Sequence, residues 1–468
     1  MSSSKIDLTS RVCERIVEYG ARPLQARALA NARQLFLDGV AVAVAGAKLE
    51  KAPRLLLEHV LDPVTGAGDR RSASVLGLNT RVGTVQAALV NGASMHVLDF
   101  EPMWLPATHA LSPALAPALA LGETIGSSGI KILKAMVLGI EMQGRLRAAT
   151  LGPPEEVSFH PPGFLGPIGA AVAAGYLLDF NAAQFANAIG IAGSRCGGLF
   201  VNLGTMTKSS HCGYAAALGL EAALLTRRGF TGCTTLFDPG PQSYAEAFFP
   251  HGFDGESLMN FGEPFRIEDP GYAIKMFPAK FSTHYAITAA LQARPRLSNP
   301  DAIRKIRITA ADVPSSDRPH PRSGLDGKFS LQYTTALALL DGRVDFESFT
   351  DDRHTQPDVQ NLLGKIETTL SRDIPGLYTA GRYLDLEIEM ENGEVIRERC
   401  DRPRGAWGSE PITAEEHLGK ARSCLATYLT PDCVEACIKQ IQQIDTLDAD
   451  GVRALLQLAS APEAVACS

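Results

Sequence analysis

The chain has 468 residues, of which 45% are hydrophobic and 20% are charged, and its formal net charge is −7. This length suits two or three domains, and the composition is typical of a globular protein with a large core. A negative net charge argues against a general affinity for nucleic acid, because phosphate binding needs a basic face.

We expect no contact with a membrane and a cytoplasmic location. No apolar run looks long enough to span a bilayer, and the N-terminus has no apolar signal-peptide core. The nine cysteines are expected to be small buried hydrophobic groups in a reducing compartment. No spacing of Cys and His matches a zinc site.

Residues 5–270 alternate Ala-rich helical stretches with Gly- and Pro-rich breaks. Small residues on several faces of a helix suit tightly packed, largely buried helices. The predicted helices of this region cover residues 21–44, 85–98, 112–125, 130–149, 166–178, 182–192 and 213–228.

The pattern changes near residue 271. Strand-like alternation occurs at 303–309, 384–390 and 395–400, the last two joined by a hairpin turn, and helices are expected at 331–340 and 357–370. From residue 413 a capping-box pattern starts helices again. The sequence therefore predicts a mainly α fold, with a large, discontinuous all-helical domain (1–270 and 410–468) and a smaller α+β lid domain (271–409).

A candidate proton-transfer segment runs from Asp99 to His109. It follows a helical pattern that Pro102 and Pro106 break, so a loop at a helix end is expected. Asp99 can orient an imidazole or act as a base. Alternatively, Asp99 caps a helix and His109 is an ordinary loop histidine, and the segment alone favours that interpretation.

Two further candidates stand just before predicted helices. His160 precedes an Ala-rich helix, whose free N–H groups and positive dipole end suit a carboxylate; the alternative is a turn histidine. Lys208 can bind a substrate carboxylate through a charge-assisted hydrogen bond, unless it is a surface lysine whose stem covers apolar surface.

A group of cations opens the predicted α+β domain. If Pro278 begins a helix, Lys280 and His284 lie one turn apart on one face. Lys275 falls at the domain junction, where a cleft is expected, and Arg318 can recognise a carboxylate with two hydrogen bonds. Close cations favour a polycarboxylate ligand, although a solvated helix face and a solvated loop also fit.

Taken together, these segments resemble the MmgE/PrpD family. The matching motifs occur in one order along most of the chain, which makes the resemblance far more specific than any single motif. They are Leu98-Asp99-Phe100, Pro106-Ala-Thr-His109, Phe159-His-Pro-Pro-Gly163, Thr207-Lys208, Lys275-Met-Phe-Pro278 with Ser282-Thr-His284, and Gly327-Lys-Phe-Ser-Leu-Gln-Tyr333, joined by Asp38-Gly39 and Ala45-Gly46 near the N-terminus.

The resemblance implies a catalytic set at Asp99, His109, His160, Lys208 and Lys275. It also implies an active site between the two domains, a homodimer, a small-molecule polycarboxylate substrate, and no required metal or cofactor. In such a site the lysines hold carboxylates and stabilise a developing enediolate. His109 or His160 is the general base or acid, oriented by Asp99.

Three positions depart from the family pattern. Met103 stands where a hydroxyl side chain is common, Lys280 stands where the decarboxylase-like branch has histidine, and the tyrosine expected before Arg318 is missing. We still expect substrate-binding positions at Met103, Lys280, His284 and Arg318. The changed groups help to distinguish one reaction from another, so the exact reaction is left open.

We therefore predict a cofactor-independent lyase that transfers a proton at the carbon α to a carboxylate of a di- or tricarboxylate. Dehydration of a 2-methylcitrate-like substrate is the first choice, because it is the best-known activity of the family. The alternatives are decarboxylation of a cis-aconitate-like substrate, epimerisation of an iminodisuccinate-like dicarboxylate with Lys280 as a second base, and a non-catalytic metabolite-binding protein.

Overall fold

The computed structural model of the chain describes residues 7–62, 72–152, 158–297, 299–376 and 381–460. Its contacts divide it into two compact units: a helical unit, Met1–Tyr272 with Ala414–Ser468, and a sheet unit, Ala273–Thr413. Helices dominate the described residues and the sheets are small. The predicted mainly α fold with a smaller sheet-containing part is confirmed.

Long Ala- and Gly-rich helices form most of the helical unit, and their small side chains allow burial on several faces. The first part of this unit contains α1 (Leu8–Ala21), α2 (Ala26–Leu49), α3 (Lys51–Leu61), β1 (Ala73–Val75), β2 (Thr80–Val82), α4 (Thr84–Val97), β3 (Met103–Trp104), α5 (Leu111–Ile125), α6 (Gly129–Ala148), α7 (Pro161–Leu177), α8 (Ala182–Gly193), α9 (Met206–Arg227) and α10 (Tyr244–Phe248). The strands β1 and β2 form an antiparallel hairpin. The prediction that this unit is all-helical is therefore wrong.

The crossing of α4 and α9 depends on glycine. A Cβ on Gly213 would lie 2.4 Å from the carbonyl oxygen of Leu89, and one on Gly92 would lie 3.1 Å from the Cα of Gly213. The two backbones can approach this closely only because neither glycine has a side chain. The crossing brings the start of α9, which carries Lys208, beside the end of α4, which leads into the loop that carries Asp99.

Strand β4 (Tyr272–Ala273) contains the last residue of this part of the helical unit and the first residue of the sheet unit. The four-stranded sheet of the sheet unit has the order β6-β5-β7-β8, in which β5 and β6 are parallel and the other pairs antiparallel. Burial alternates along β7, which is expected for a sheet with one face covered. The elements are α11 (His284–Ala293), β5 (Ile303–Ala311), α12 (Gly324–Gly327), α13 (Leu331–Asp341), α14 (Asp351–His354), α15 (Pro357–Leu363), β6 (Ile366–Ser371), β7 (Leu384–Met390) and β8 (Val395–Cys400).

The chain then returns to the helical unit with α16 (Ala414–Leu425), α17 (Pro431–Gln442) and α18 (Ala449–Ser460). Helix α16 packs against α2. Of the described helices, α2 is long and apolar enough to cross a membrane by length and composition, which the sequence analysis did not expect. However, 72% of its most apolar window is buried inside the structure, as in the core helix of a globular protein.

Several predicted boundaries and one cysteine expectation are wrong. Helices α7 and α9 begin at Pro161 and Met206, earlier than predicted, because polar or Pro-containing first turns hide the helical pattern. The helix predicted over 357–370 ends at Leu363, and strand β6 follows it. Seven described cysteines are free, but Cys433 is disulfide-bonded.

Candidate active site

The loop after α4 places Asp99 in a buried turn. Asp99 has a left-handed backbone conformation, with φ of 50°, and its N–H donates to the carbonyl of His96 at 2.9 Å. Aspartate tolerates this conformation better than most residues. Only 3% of Asp99 is exposed, so its carboxylate needs a partner.

Lys208 supplies that partner. It lies in the first turn of α9, and its Nζ donates to Asp99 Oδ2 at 2.8 Å. Both side chains are buried. The carboxylate holds the buried ammonium group of Lys208 in one position, where its positive charge can bind an anionic substrate.

Three histidines surround this ion pair. His109 Nε2 lies 3.7 Å from Asp99 Oδ1, and His160 is the N-cap residue of α7, as its position before a helix suggested. The rings of His109 and His160 are 6.3 Å apart. His160 Nδ1 also lies 3.4 Å from Nδ1 of His211. The helical unit therefore brings together four predicted site residues, Asp99, His109, His160 and Lys208.

Burial and a nearby cation favour the neutral form of two of these histidines, His160 and His211. Burial lowers the pKa of His160 well below 6.5, and the charge of Lys208 lowers it further. Burial and Lys208 also lower the pKa of His211. A neutral imidazole has a lone pair available, so these groups suit proton abstraction near neutral pH.

Two buried residues of the site, His96 and Glu101, were missed by the sequence analysis. His96 is on the last turn of α4, three residues before Asp99, and its ring lies 4.6 Å from that of His109. Its Nδ1 is 2.7 Å from Glu101 Oε1. The available signal was a histidine inside an otherwise apolar helix, close to a motif already singled out. Met103, a predicted substrate contact, is buried in β3.

The sheet unit holds the other predicted residues in two small clusters. In the first, Lys275 Nζ donates to the carbonyl of Ala279 at 3.2 Å, and His284 Nε2 lies at the same distance from that oxygen. Both side chains are fully buried. A lysine in this setting has a fixed position and a substantial desolvation cost.

In the second cluster, Lys280 Nζ donates to Ser315 Oγ at 2.6 Å, and Arg318 Nε donates to the carbonyl of Ser315 at 3.1 Å. Arg318 also forms an ion pair with Asp326, so part of its charge is already balanced within the unit. The condition that Pro278 begins a helix is not met. The α-helix begins at His284 after a short 3-10 turn, so Lys280 and His284 do not share a helix face.

A second buried ion pair supports the Asp99 loop. Asp38, on α2, accepts hydrogen bonds from Lys420 Nζ at 2.8 Å and from His417 Nε2 at 3.2 Å. Lys420 also donates to the carbonyl of Phe100 at 2.8 Å. Phe100 follows Asp99 directly, so this pair fixes the backbone next to the site carboxylate.

One group of side chains has the composition of a metal site. Ligand atoms of His96, Glu101 and His109 lie within 4.8 Å of one another, a grouping that their sequence spacing did not reveal. Hydrogen bonds account for the close approach of His96 and Glu101: Glu101 accepts from His96 and also from Ser112 N and Oγ, at 3.0 and 2.9 Å. We assign the group no ion.

The open groove of about 540 Å³ on the exposed face of the sheet is a poor candidate for the active site. Its charged side chains pair with one another across the strands, for example Arg307 with Glu387 and Arg399 with Asp385. Such exposed pairs contribute little energy and leave no charge directed at a ligand.

Comparisons with known proteins identify the family of the chain. The MmgE/PrpD N-terminal domain model matches residues 10–255, and the C-terminal domain model matches residues 277–446. Cis-aconitate decarboxylase of Mus musculus is 32% identical over 79% of this chain and 77% of its own length, and that of Homo sapiens is 31% identical over 82% and 81%. The 2-methylcitrate dehydratase of Cupriavidus necator is 25% identical over 82% and 83%. The chain belongs to the MmgE/PrpD family.

Proposed function

We propose that the chain is a cofactor-independent lyase that transfers a proton at the carbon α to a carboxylate of a di- or tricarboxylate. The observation that carries this proposal is the buried Asp99–Lys208 ion pair beside neutral histidines. It combines a fixed positive charge with unprotonated imidazoles in one place, and proton abstraction next to a carboxylate requires both.

Dehydration is the reaction that this geometry supports best. His109 or His160 removes the α proton, and the negative charge that develops on the substrate carboxylate is stabilised by Lys208. The protonated imidazole can then give its proton to the departing hydroxide. The lowered pKa of His160 favours a reaction that begins with proton abstraction over one in which the imidazole must already carry the proton that it donates.

Decarboxylation of a cis-aconitate-like substrate is the second candidate, and sequence similarity favours it. The two mammalian decarboxylases are 32% and 31% identical to this chain, whereas the Cupriavidus necator dehydratase is 25% identical. Decarboxylation ends with protonation of the carbon that lost carbon dioxide, so it would use the same histidines in the opposite direction. Lys275, fully buried in the sheet unit, is proposed as a further carboxylate-binding residue in either reaction.

A substrate panel followed by NMR in deuterated water tests these proposals. Citrate, 2-methylcitrate, cis-aconitate and iminodisuccinate are each incubated with the wild-type chain and with Lys208→Met. Loss of water supports dehydration, and release of carbon dioxide supports decarboxylation. Deuterium uptake with inversion and no other change supports epimerisation. If the wild-type chain transforms none of the four, or if Lys208→Met is equally active, the proposed function is wrong.

We also propose that the chain acts as a homodimer in the cytoplasm. The first statement rests on the family resemblance described above, and the second rests on the composition of the chain. Sedimentation velocity at micromolar concentration tests the first, with a monomer mass of 49.9 kDa as reference. Cell fractionation tests the second.

A further inference from the structure

Glu101 is a fully buried carboxylate beside the histidines of the site. Ser112 N and Oγ donate to it at 3.0 and 2.9 Å, and His96 Nδ1 lies 2.7 Å from its Oε1. Because the serine groups use Glu101 as an acceptor, His96 carries its hydrogen on Nδ1 and keeps the lone pair on Nε2. Donors on both sides fix the orientation of this carboxylate.

The anchored carboxylate faces His109. Glu101 Oε1 lies 3.6 Å from His109 Nδ1, while Asp99 Oδ1 lies 3.7 Å from His109 Nε2. Each ring nitrogen therefore has a carboxylate next to it, at distances just beyond a hydrogen bond. Catalytic hydrogen bonds often have such lengths before substrate binds and shorten in the complex.

We infer that Glu101, anchored by His96 and Ser112, is a second positioning residue for His109. Its negative charge balances the positive charge that His109 acquires on accepting the substrate proton. This inference rests on the proposed function, because it requires His109 to take up a proton during turnover.

The neighbouring charges explain why Asp99 alone would not balance a proton on His109. Asp99 already shares its charge with Lys208 at 2.8 Å. The imidazole that Glu101 holds is neutral, since burial and the charge of Lys208 lower the pKa of His96 well below 6.5. Cys212 also faces the group, but burial raises the pKa of its thiol well above the ordinary value. Glu101 is therefore the carboxylate best placed to balance a proton on His109.

The test replaces Glu101 by Gln, which removes the charge and keeps the size. The measurements are kcat and the pH dependence of kcat/KM for the substrate found in the panel. We expect kcat to fall by about tenfold or more, and the acidic limb to move to lower pH by about one unit, because a lost anion disfavours proton uptake. Glu101→Asp keeps the charge, so its acidic limb should stay nearer the wild-type position.

Glu123→Gln is the matched control. Glu123 is also buried and accepts from a serine N and Oγ, those of Ser74, at 2.7 and 2.8 Å. We expect it to leave the acidic limb in place even if the protein becomes less stable. Thermal unfolding of all three variants identifies any that do not fold.

NMR of ring-labelled histidine gives a readout that does not depend on turnover, with the His109 signal assigned from its loss in His109→Asn. A lower titration point for His109 in Glu101→Gln than in wild type supports the inference. Equal titration points, or an unmoved acidic limb in a folded Glu101→Gln, overturn it. If the wild type transforms none of the four substrates, the proposed function has failed, and the ring titration then decides this inference alone.

Discussion

Replacing Lys420 by Met should destabilise the helical unit and slow catalysis, although Lys420 belongs to a helix far along the chain from Asp99. The side chains of Lys420 and Asp38 are buried, and Nζ lies 2.8 Å from Oδ2. At that distance, an effective dielectric constant of about 20 gives a gross attraction of about 6 kcal/mol. Removing one partner of a buried pair leaves the other charge uncompensated and typically costs about 3–5 kcal/mol. We expect the lower end, because His417 still contacts Asp38.

The same substitution should lower kcat. Lys420 donates to the carbonyl of Phe100 at 2.8 Å, and its Nζ lies 4.1 Å from the centre of the Phe100 ring. A methionine side chain cannot donate this hydrogen bond, so the backbone that carries Asp99 would lose one of its fixed points. A small displacement of a positioned catalytic group can cost a large factor in rate.

Urea unfolding with a local probe measures the stability change. The chain has two tryptophans; Trp104 is buried in the helical unit and Trp407 belongs to the sheet unit. In a Trp407→Phe background, fluorescence therefore reports the helical unit alone. The control is Arg422→Met on the same helix, whose pairs with Glu415 and Glu435 are exposed and should contribute little.

The double variant Asp38→Asn/Lys420→Met tests the physical reason. With both charges removed, no ion stays buried without its partner, so the double variant should be less destabilised than the sum of the two single changes. An unchanged urea midpoint for Lys420→Met, or strict additivity in the double variant, would refute the reasoning.

The Asp38–Lys420 pair also predicts that the protein is sensitive to acid. Burial alone would raise the pKa of Asp38, but Lys420 and His417 outweigh it and hold the pKa below the ordinary 3.8. Its contribution is therefore present above about pH 4 and is lost as pH falls through the folded value.

Three other outcomes are expected. Lys208→Met should weaken binding of the polycarboxylate substrate by roughly 1.5–3 kcal/mol in calorimetry, the loss typical of a charge-assisted hydrogen bond, and unchanged affinity would exclude Lys208 as the binder. His109→Gln should lower kcat strongly with little change in Kd; if only His160→Gln does so, His160 is the base. If His160 is the base, the acidic limb should lie below pH 6.5, because burial and the charge of Lys208 lower the pKa of His160. Activity should survive exhaustive chelation, and a loss in EDTA reversed by one divalent ion would assign a metal to His96, Glu101 and His109.

The parts of the fold that could be predicted from the sequence are those with a strong local pattern. Strands β7 and β8 alternate in burial around a turn, and their bounds agree with the structure. Strand β6 (Ile366–Ser371) was missed because it begins shortly after helix α15 ends at Leu363 and has aliphatic side chains only at Ile366 and Leu370. A spacing of four residues fits a helix as well as a strand.

The candidate site could be predicted only in part, for a different reason. Motifs identified residues whose side chains can transfer a proton or bind a carboxylate, such as Asp99 and Lys208. Nothing in their spacing showed that the two would form an ion pair. That contact depends on the close crossing of α4 and α9, which depends in turn on Gly92 and Gly213. His96 was missed because one histidine in an apolar helix has the same pattern whether it is structural or functional.

The buried Asp99–Lys208 ion pair also explains how histidines with a lowered pKa can lie next to a lysine. A cation alone in this setting would carry a large desolvation cost, and an anion alone would draw protons onto the imidazoles. The Asp99–Lys208 pair avoids both effects, because its charges largely balance each other while Lys208 still lowers the pKa of His96, His160 and His211. The remaining requirement is a negative charge that acts once a histidine has accepted a proton. We infer that Glu101, which is held by hydrogen bonds to His96 and Ser112, supplies that charge.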